Sequence, residues 1–102
     1  MTNNNMKKPP ANLDGARVLK YAILDESVIH TGKIALYVGG KLMRLAACIA
    51  ICKYDGKDNY FIIYCNKNWR SFGAAGHKTI EEAMSSLEKE YSGITNKWQN
   101  MS

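Results

Sequence analysis

The sequence holds no apolar run long enough to cross a bilayer as a helix. The longest, residues 45–52, falls far short of the roughly 20 residues that a span requires. The opening MTNNNMKKPP carries positive charge without the roughly 7–15-residue apolar segment that a secretory signal places after it, so a cytoplasmic protein is expected. Cysteine is scarce and odd in number. Cys48, Cys52 and Cys65 lie inside apolar segments and read as reduced thiols packed as small hydrophobes, which argues against a disulfide scaffold. Acid is also short. Nine Asp and Glu face fourteen Lys and Arg, giving a net charge of +5 and a pI near 9.2. Such a balance favours an acidic partner, whether nucleic acid or an acidic protein surface. The excess sits in residues 1–20 and 53–78, whereas residues 79–102 are net acidic.

What is present suits one globular core. The chain has 102 residues, 46% apolar and 23% charged, enough to bury a core but not two. Residues 1–15, rich in Asn, Lys and Pro and closing on Asp14-Gly15, read as a flexible lead-in with a turn; residues 16–102 read as a single domain.

Residues 17–24, RVLKYAIL, suit a strand, although a short helix fits their spacing nearly as well. Residues 33–38 alternate as a half-buried strand, and Gly39-Gly40 supplies a hairpin turn into a strand returning from Lys41. Residues 42–54 read as a strand apolar on both faces. Leu45, Ile49 and Ile51 lie on one side, and the small Ala46, Cys48, Ala50 and Cys52 on the other, a surface that a helix or loop can approach closely. The turn Asp55-Gly56-Lys57-Asp58 leads to the strand YFIIYC, residues 60–65. Asn66-Lys67-Asn68 reads as a polar turn, residues 69–72 as a short strand and Gly73-Ala74-Ala75-Gly76 as a break. Ile80, Ala83, Met84, Leu87 and Tyr91 then recur at helical spacing, opened by the capping pair Thr79 and Glu82 and stopped by Gly93. The sum predicts an α+β fold: an antiparallel sheet of four to five strands with one C-terminal helix packed across it and Trp98 in a short tail.

No catalytic or metal motif survives scrutiny. On a strand, Cys48 and Cys52 stand roughly 13 Å apart, too far to share one ion. His77, just before the helix, could help anchor an anion or act as a general base, but a lone histidine in a Gly-rich loop is more often a solvated turn residue, so an enzyme using it is the third and most distant reading. The segment Gly73 to Thr79 lacks the spacing of a phosphate loop, and its Gly73-x-x-Gly76 joins a strand to a helix, where the clamp of KH domains joins two helices. A double-stranded RNA-binding domain also ends in a sheet and helix, but its last helix opens with several lysines, whereas this one opens with Lys78, Glu81 and Glu82. Tyr54, Tyr60, Tyr64 and Trp69 are candidates for base stacking or for cross-strand packing. No metal or cofactor is expected.

Residues 46–98 carry the segments AACIAICKY, NYFIIYC, NKNW, TIEEA and EYSGITNKW. Together they resemble small bacterial immunity proteins of the contact-dependent growth inhibition and polymorphic-toxin type. The resemblance implies a non-enzymatic cytoplasmic antidote that binds one cognate toxin domain and blocks its active site or holds an exosite. Its contact surface should use residues without a folding duty. The candidates are Tyr54, Asp55, Lys57 and Asp58 in one hairpin turn and Lys67, Asn68, Trp69 and Arg70 in the next, because aromatics and arginine dominate interface energetics. A small basic nucleic-acid-binding domain is the alternative that the charge suggests.

Overall fold

The computed structural model describes residues 8–31, 37–38, 41–42 and 46–101. In chain order the strands are β1 (Asn12–Leu13), β2 (Ala16–Ile23), β3 (Ile29–His30), β4 (Tyr37–Val38), β5 (Lys41–Leu42), β6 (Cys48–Lys53), β7 (Tyr60–Cys65) and β8 (Ser71–His77). Helix α1 (Ile80–Glu90) follows, then β9 (Tyr91–Ser92), a 3-10 turn (Ile94–Lys97) and β10 (Trp98–Asn100). The main sheet is antiparallel and six-stranded, ordered β1-β2-β6-β7-β8, with β10 also pairing β2. It curls as a half-barrel. Two short ladders, β3 with β9 and β4 with β5, lie outside it.

The α+β expectation is met, with two corrections. The sheet is larger than four to five strands, and the helix is not the last element. The segment read as a tail returns as β10, where Trp98 pairs with Ala22 and Asn100 with Lys20. That edge is available because β1 covers only Ala16 and Arg17. Asn12 and Leu13, read as lead-in, are already paired, and Asp14 (φ 51) and Gly15 (φ 84) make the tight turn between them and β2.

Hydrophobic alternation builds two cores, one on each face of the sheet. Ile49, Ile51, Ile62, Tyr64 and Ala22 face the helix, where Ala83, Leu87, Tyr91 and Ile94 cover them. Each fully buried isoleucine contributes about 2 kcal/mol of transfer free energy. Cys48, Ala50, Cys52, Ile63 and Cys65 face the other way, under Val18, Tyr21, Leu13 and Trp69. Among the described residues no helix covers this face of small side chains; Tyr21 and Trp69, the latter from the β7–β8 turn, pack against it. Ala46 departs from its expected face, because it precedes β6 and packs with the helix-side core. Ser71 donates to Asp14 Oδ2 at 2.5 Å, a bond that links β8 to the β1–β2 turn from opposite ends of the strand order.

Two further readings change. Residues 73–76, expected to break the chain, continue β8, because the rings of Phe61 and Tyr64 lie beside Gly76 and Gly73 across the ladder and take the place of missing side chains. Of the strand predicted over 42–54, Leu42 lies in β5 and Cys48–Lys53 form β6, Ala46, Ala47 and Tyr54 lie outside any strand, and residues 43–45 are outside the described residues. Val38 pairs with Lys41, while residues 33–36 of the expected strand and Gly39 and Gly40 of the expected turn fall outside the described residues. Residues 17–23 adopt the strand reading within β2, and Leu24 lies outside it. No helix among the described residues is long and apolar enough to cross a membrane.

Helix α1 matches its signals closely. Thr79 accepts from Glu82 N at 3.0 Å. The Glu82 carboxylate, however, accepts from Lys78 N at 3.4 Å, so the reciprocal half of the expected capping box is shifted by one residue. Gly93, at φ 97, turns the chain after Tyr91 and Ser92, and Ile94 folds back onto the helix-side core.

Candidate functional site

The eight candidate contact residues lie on two hairpin turns. In the β6–β7 turn, Lys57 N donates to Tyr54 O at 3.2 Å and Gly56 takes φ 79. Asp55, Lys57 and Asp58 are exposed. Tyr54 has a folding duty. Its ring meets Phe61 edge-on at 5.3 Å and its hydroxyl donates to Asp14 O at 3.1 Å.

The β7–β8 turn is fixed more firmly. Asn66 Oδ1 accepts from Asn68 N at 2.8 Å and from Arg70 N at 3.0 Å, and Asn66 O accepts from Trp69 N at 3.0 Å. Trp69 stands at φ 61, a conformation that costs a bulky residue free energy and persists only where its surroundings enforce it. What enforces it is burial. The indole is 9% exposed and meets Tyr21 edge-on at 6.0 Å. Trp69 is thus an internal anchor, not a contact residue, and it holds Lys67, Asn68 and Arg70 outward. The two turns occupy opposite ends of β7, roughly 17 Å apart along six residues. The structure therefore gives two separate groups rather than one patch.

Among the base-stacking candidates, Tyr64 is 3% exposed and Trp69 is a core side chain, so neither is available. Tyr60 is half-buried with Lys53 Nζ 5.3 Å from its ring centre. Register aligns Arg17, Lys53, Tyr60 and His77 in a row across β2, β6, β7 and β8. His77 Nδ1 lies 3.4 Å from Glu82 Oε1.

The sequence reading does not single out Glu90, which is 1% exposed at the end of α1. Its Oε1 accepts from Tyr64 Oη at 3.0 Å, and burial pushes its carboxyl above the ordinary range. Burial also raises the Tyr64 and Tyr91 hydroxyls. The Tyr91 hydroxyl accepts from Ala46 N at 3.3 Å, and the His30 ring lies 5.1 Å from the Tyr91 ring. A cavity of about 160 Å³ beside this group is lined by Leu24, Asp25, Val28, His30, Ala46 and Tyr91. The arrangement ties the helix to the sheet, since Tyr64 commits its proton to the carboxyl. The signal was readable: Glu90 falls three residues after Leu87 and seven after Ala83, on the apolar stripe.

The three thiols are fully buried, and burial pushes each up to about 12. At neutral pH they are protonated and poor nucleophiles and metal ligands. Comparison with protein-family models, with curated proteins and with solved structures gives no match.

Proposed function

We propose that this protein is a non-catalytic binding domain of the immunity type, which neutralises a cognate bacterial toxin domain in the cytoplasm by docking on it. The observation that carries the reading is the β7–β8 turn. Trp69 is held in a costly backbone conformation by the core, and Asn66 fixes the loop, so Lys67, Asn68 and Arg70 are presented on a backbone that needs no further ordering on binding. A loop built this way suits recognition by a rigid surface. The family resemblance of residues 46–98 supplies the class of partner. The test is co-expression with the toxin domain encoded by the neighbouring gene. The two proteins should co-elute as one complex, and Lys67→Glu with Asn68→Ala should weaken it about tenfold or more without changing the melting temperature. Failure to form a complex with wild-type protein would refute the proposal.

A second reading is a small basic nucleic-acid-binding domain, favoured by the Arg17, Lys53 and Tyr60 row on the sheet. Titration with labelled RNA and duplex DNA at physiological salt separates the two. Binding tighter than about 1 μM would favour the nucleic-acid reading, because nonspecific attraction is weaker than that under those conditions.

A further inference from the structure

The two edges of the main sheet are built differently. At one edge, β2 is covered by the two-residue β1 and the three-residue β10, on either side of a register shift at Leu19. Short strands and a bulge are the usual protection against unwanted strand pairing. At the other edge stands β8, seven residues long and the last strand in the order. Beyond a register shift at its start, residues 73–77 run regularly against β7. Their side chains are Gly, Ala, Ala, Gly and His, with no lysine, proline or bulky residue to fend off another strand. Ala74 and Gly76 are exposed. No described segment hydrogen-bonds the outer backbone groups of this strand.

Charge selects the occupant. Lys67 and Arg70 stand exposed at the start of β8, whereas Glu81 and Glu82, with Lys78, stand exposed at its far end in the first turn of α1. One end is cationic and the other net acidic. Antiparallel pairing of two β8 strands brings the cationic end of each toward the net acidic end of the other, twice over, as a two-fold axis requires. We propose that β8 is a homodimerisation edge, through which two copies join their sheets antiparallel into one continuous sheet. This inference stands apart from the proposed toxin binding and is tested on purified protein alone.

The experiment is sedimentation equilibrium of the full chain up to about 1 mM, the weak end of specific association. Backbone amide exchange on labelled protein is read alongside it. Wild type should reach twice the 11.4 kDa chain mass with outward amides of β8 protected. Ala74→Lys should be monomeric. Arg70→Glu should weaken association about tenfold, and adding Glu81→Arg should restore it. The swap keeps the test decisive should Ala74→Lys prove unstable. A wild type monomeric throughout, or a dimer whose β8 amides exchange freely, would overturn the proposal. So would a charge swap that restores nothing.

Discussion

Glu90 is the charged side chain that folding buries among the described residues, and it sets a testable pH dependence. Its folded-state carboxyl is raised above the ordinary value of 4.5, chiefly by burial, with Tyr64 and His30 pulling the other way. As pH rises past that value the unfolded chain loses its proton before the native protein does, so this group's contribution to stability declines with rising pH. Urea denaturation across pH 4–8 should show that decline, and Glu90→Gln should flatten it while keeping an acceptor for Tyr64. Glu90→Ala should cost about 2 kcal/mol, because the Tyr64 hydroxyl is left buried without a partner. An unchanged pH profile in Glu90→Gln would remove the argument. The buried cysteines give a second expectation. Cys48, Cys52 and Cys65 should react with an aromatic disulfide reagent only at the rate at which the protein opens, and fast labelling of the native state would contradict their packing.

At the scale of elements, the ends of α1 carry measurable energy. Removing the cap by Thr79→Ala should cost about 1 kcal/mol in thermal or urea unfolding. At the other end, Glu88 accepts from Gly93 N at 2.8 Å, Thr95 N at 3.1 Å and Thr95 Oγ1 at 2.6 Å. These bonds hold its carboxyl below the ordinary range, so their contribution is present at neutral pH and fades as pH falls below 4.5. Gly93→Ala should cost about 2 kcal/mol, since φ 97 is strained for any side chain and a Cβ there would stand 3.1 Å from Ser27 O.

The helix was legible because its signals are local, a 3.6-residue stripe and a cap, although it ends at Glu90 and Tyr91 and Ser92 form β9 before the glycine expected to stop it. Strand β2 was ambiguous for a physical reason. The register shift at Leu19 inserts one residue, so Val18 and Tyr21 reach the same core three positions apart and imitate a helical repeat. The glycines of β8 read as a break because their stabilising partners, Phe61 and Tyr64, lie on another strand. Likewise β10 depends on a pairing with β2 almost eighty residues away, which composition cannot reveal. Of the candidate site, the exposed polar and charged residues at 55, 57, 58, 67, 68 and 70 were legible as turn residues. The duties of Tyr54 and Trp69 were not, because both depend on contacts with Asp14 and Tyr21 from the start of the domain.

For the whole molecule, two cores on opposite faces of one curled sheet leave turns and edges as the surfaces free for recognition. If the β7–β8 turn is what a partner reads, loosening its anchor should harm binding more than stability alone explains. Trp69→Leu, which keeps an apolar plug but changes its shape, should weaken binding more than a core substitution of comparable stability cost such as Ile63→Ala. The most direct measurement is titration of the purified product of the adjacent gene, the toxin partner that the proposal calls for, with this protein, following binding heat and loss of toxin activity together. The account predicts saturation at one copy per toxin domain, with activity falling in step and the Lys67→Glu, Asn68→Ala variant failing to saturate at the same concentration. No binding, or equal binding by that variant, would contradict it.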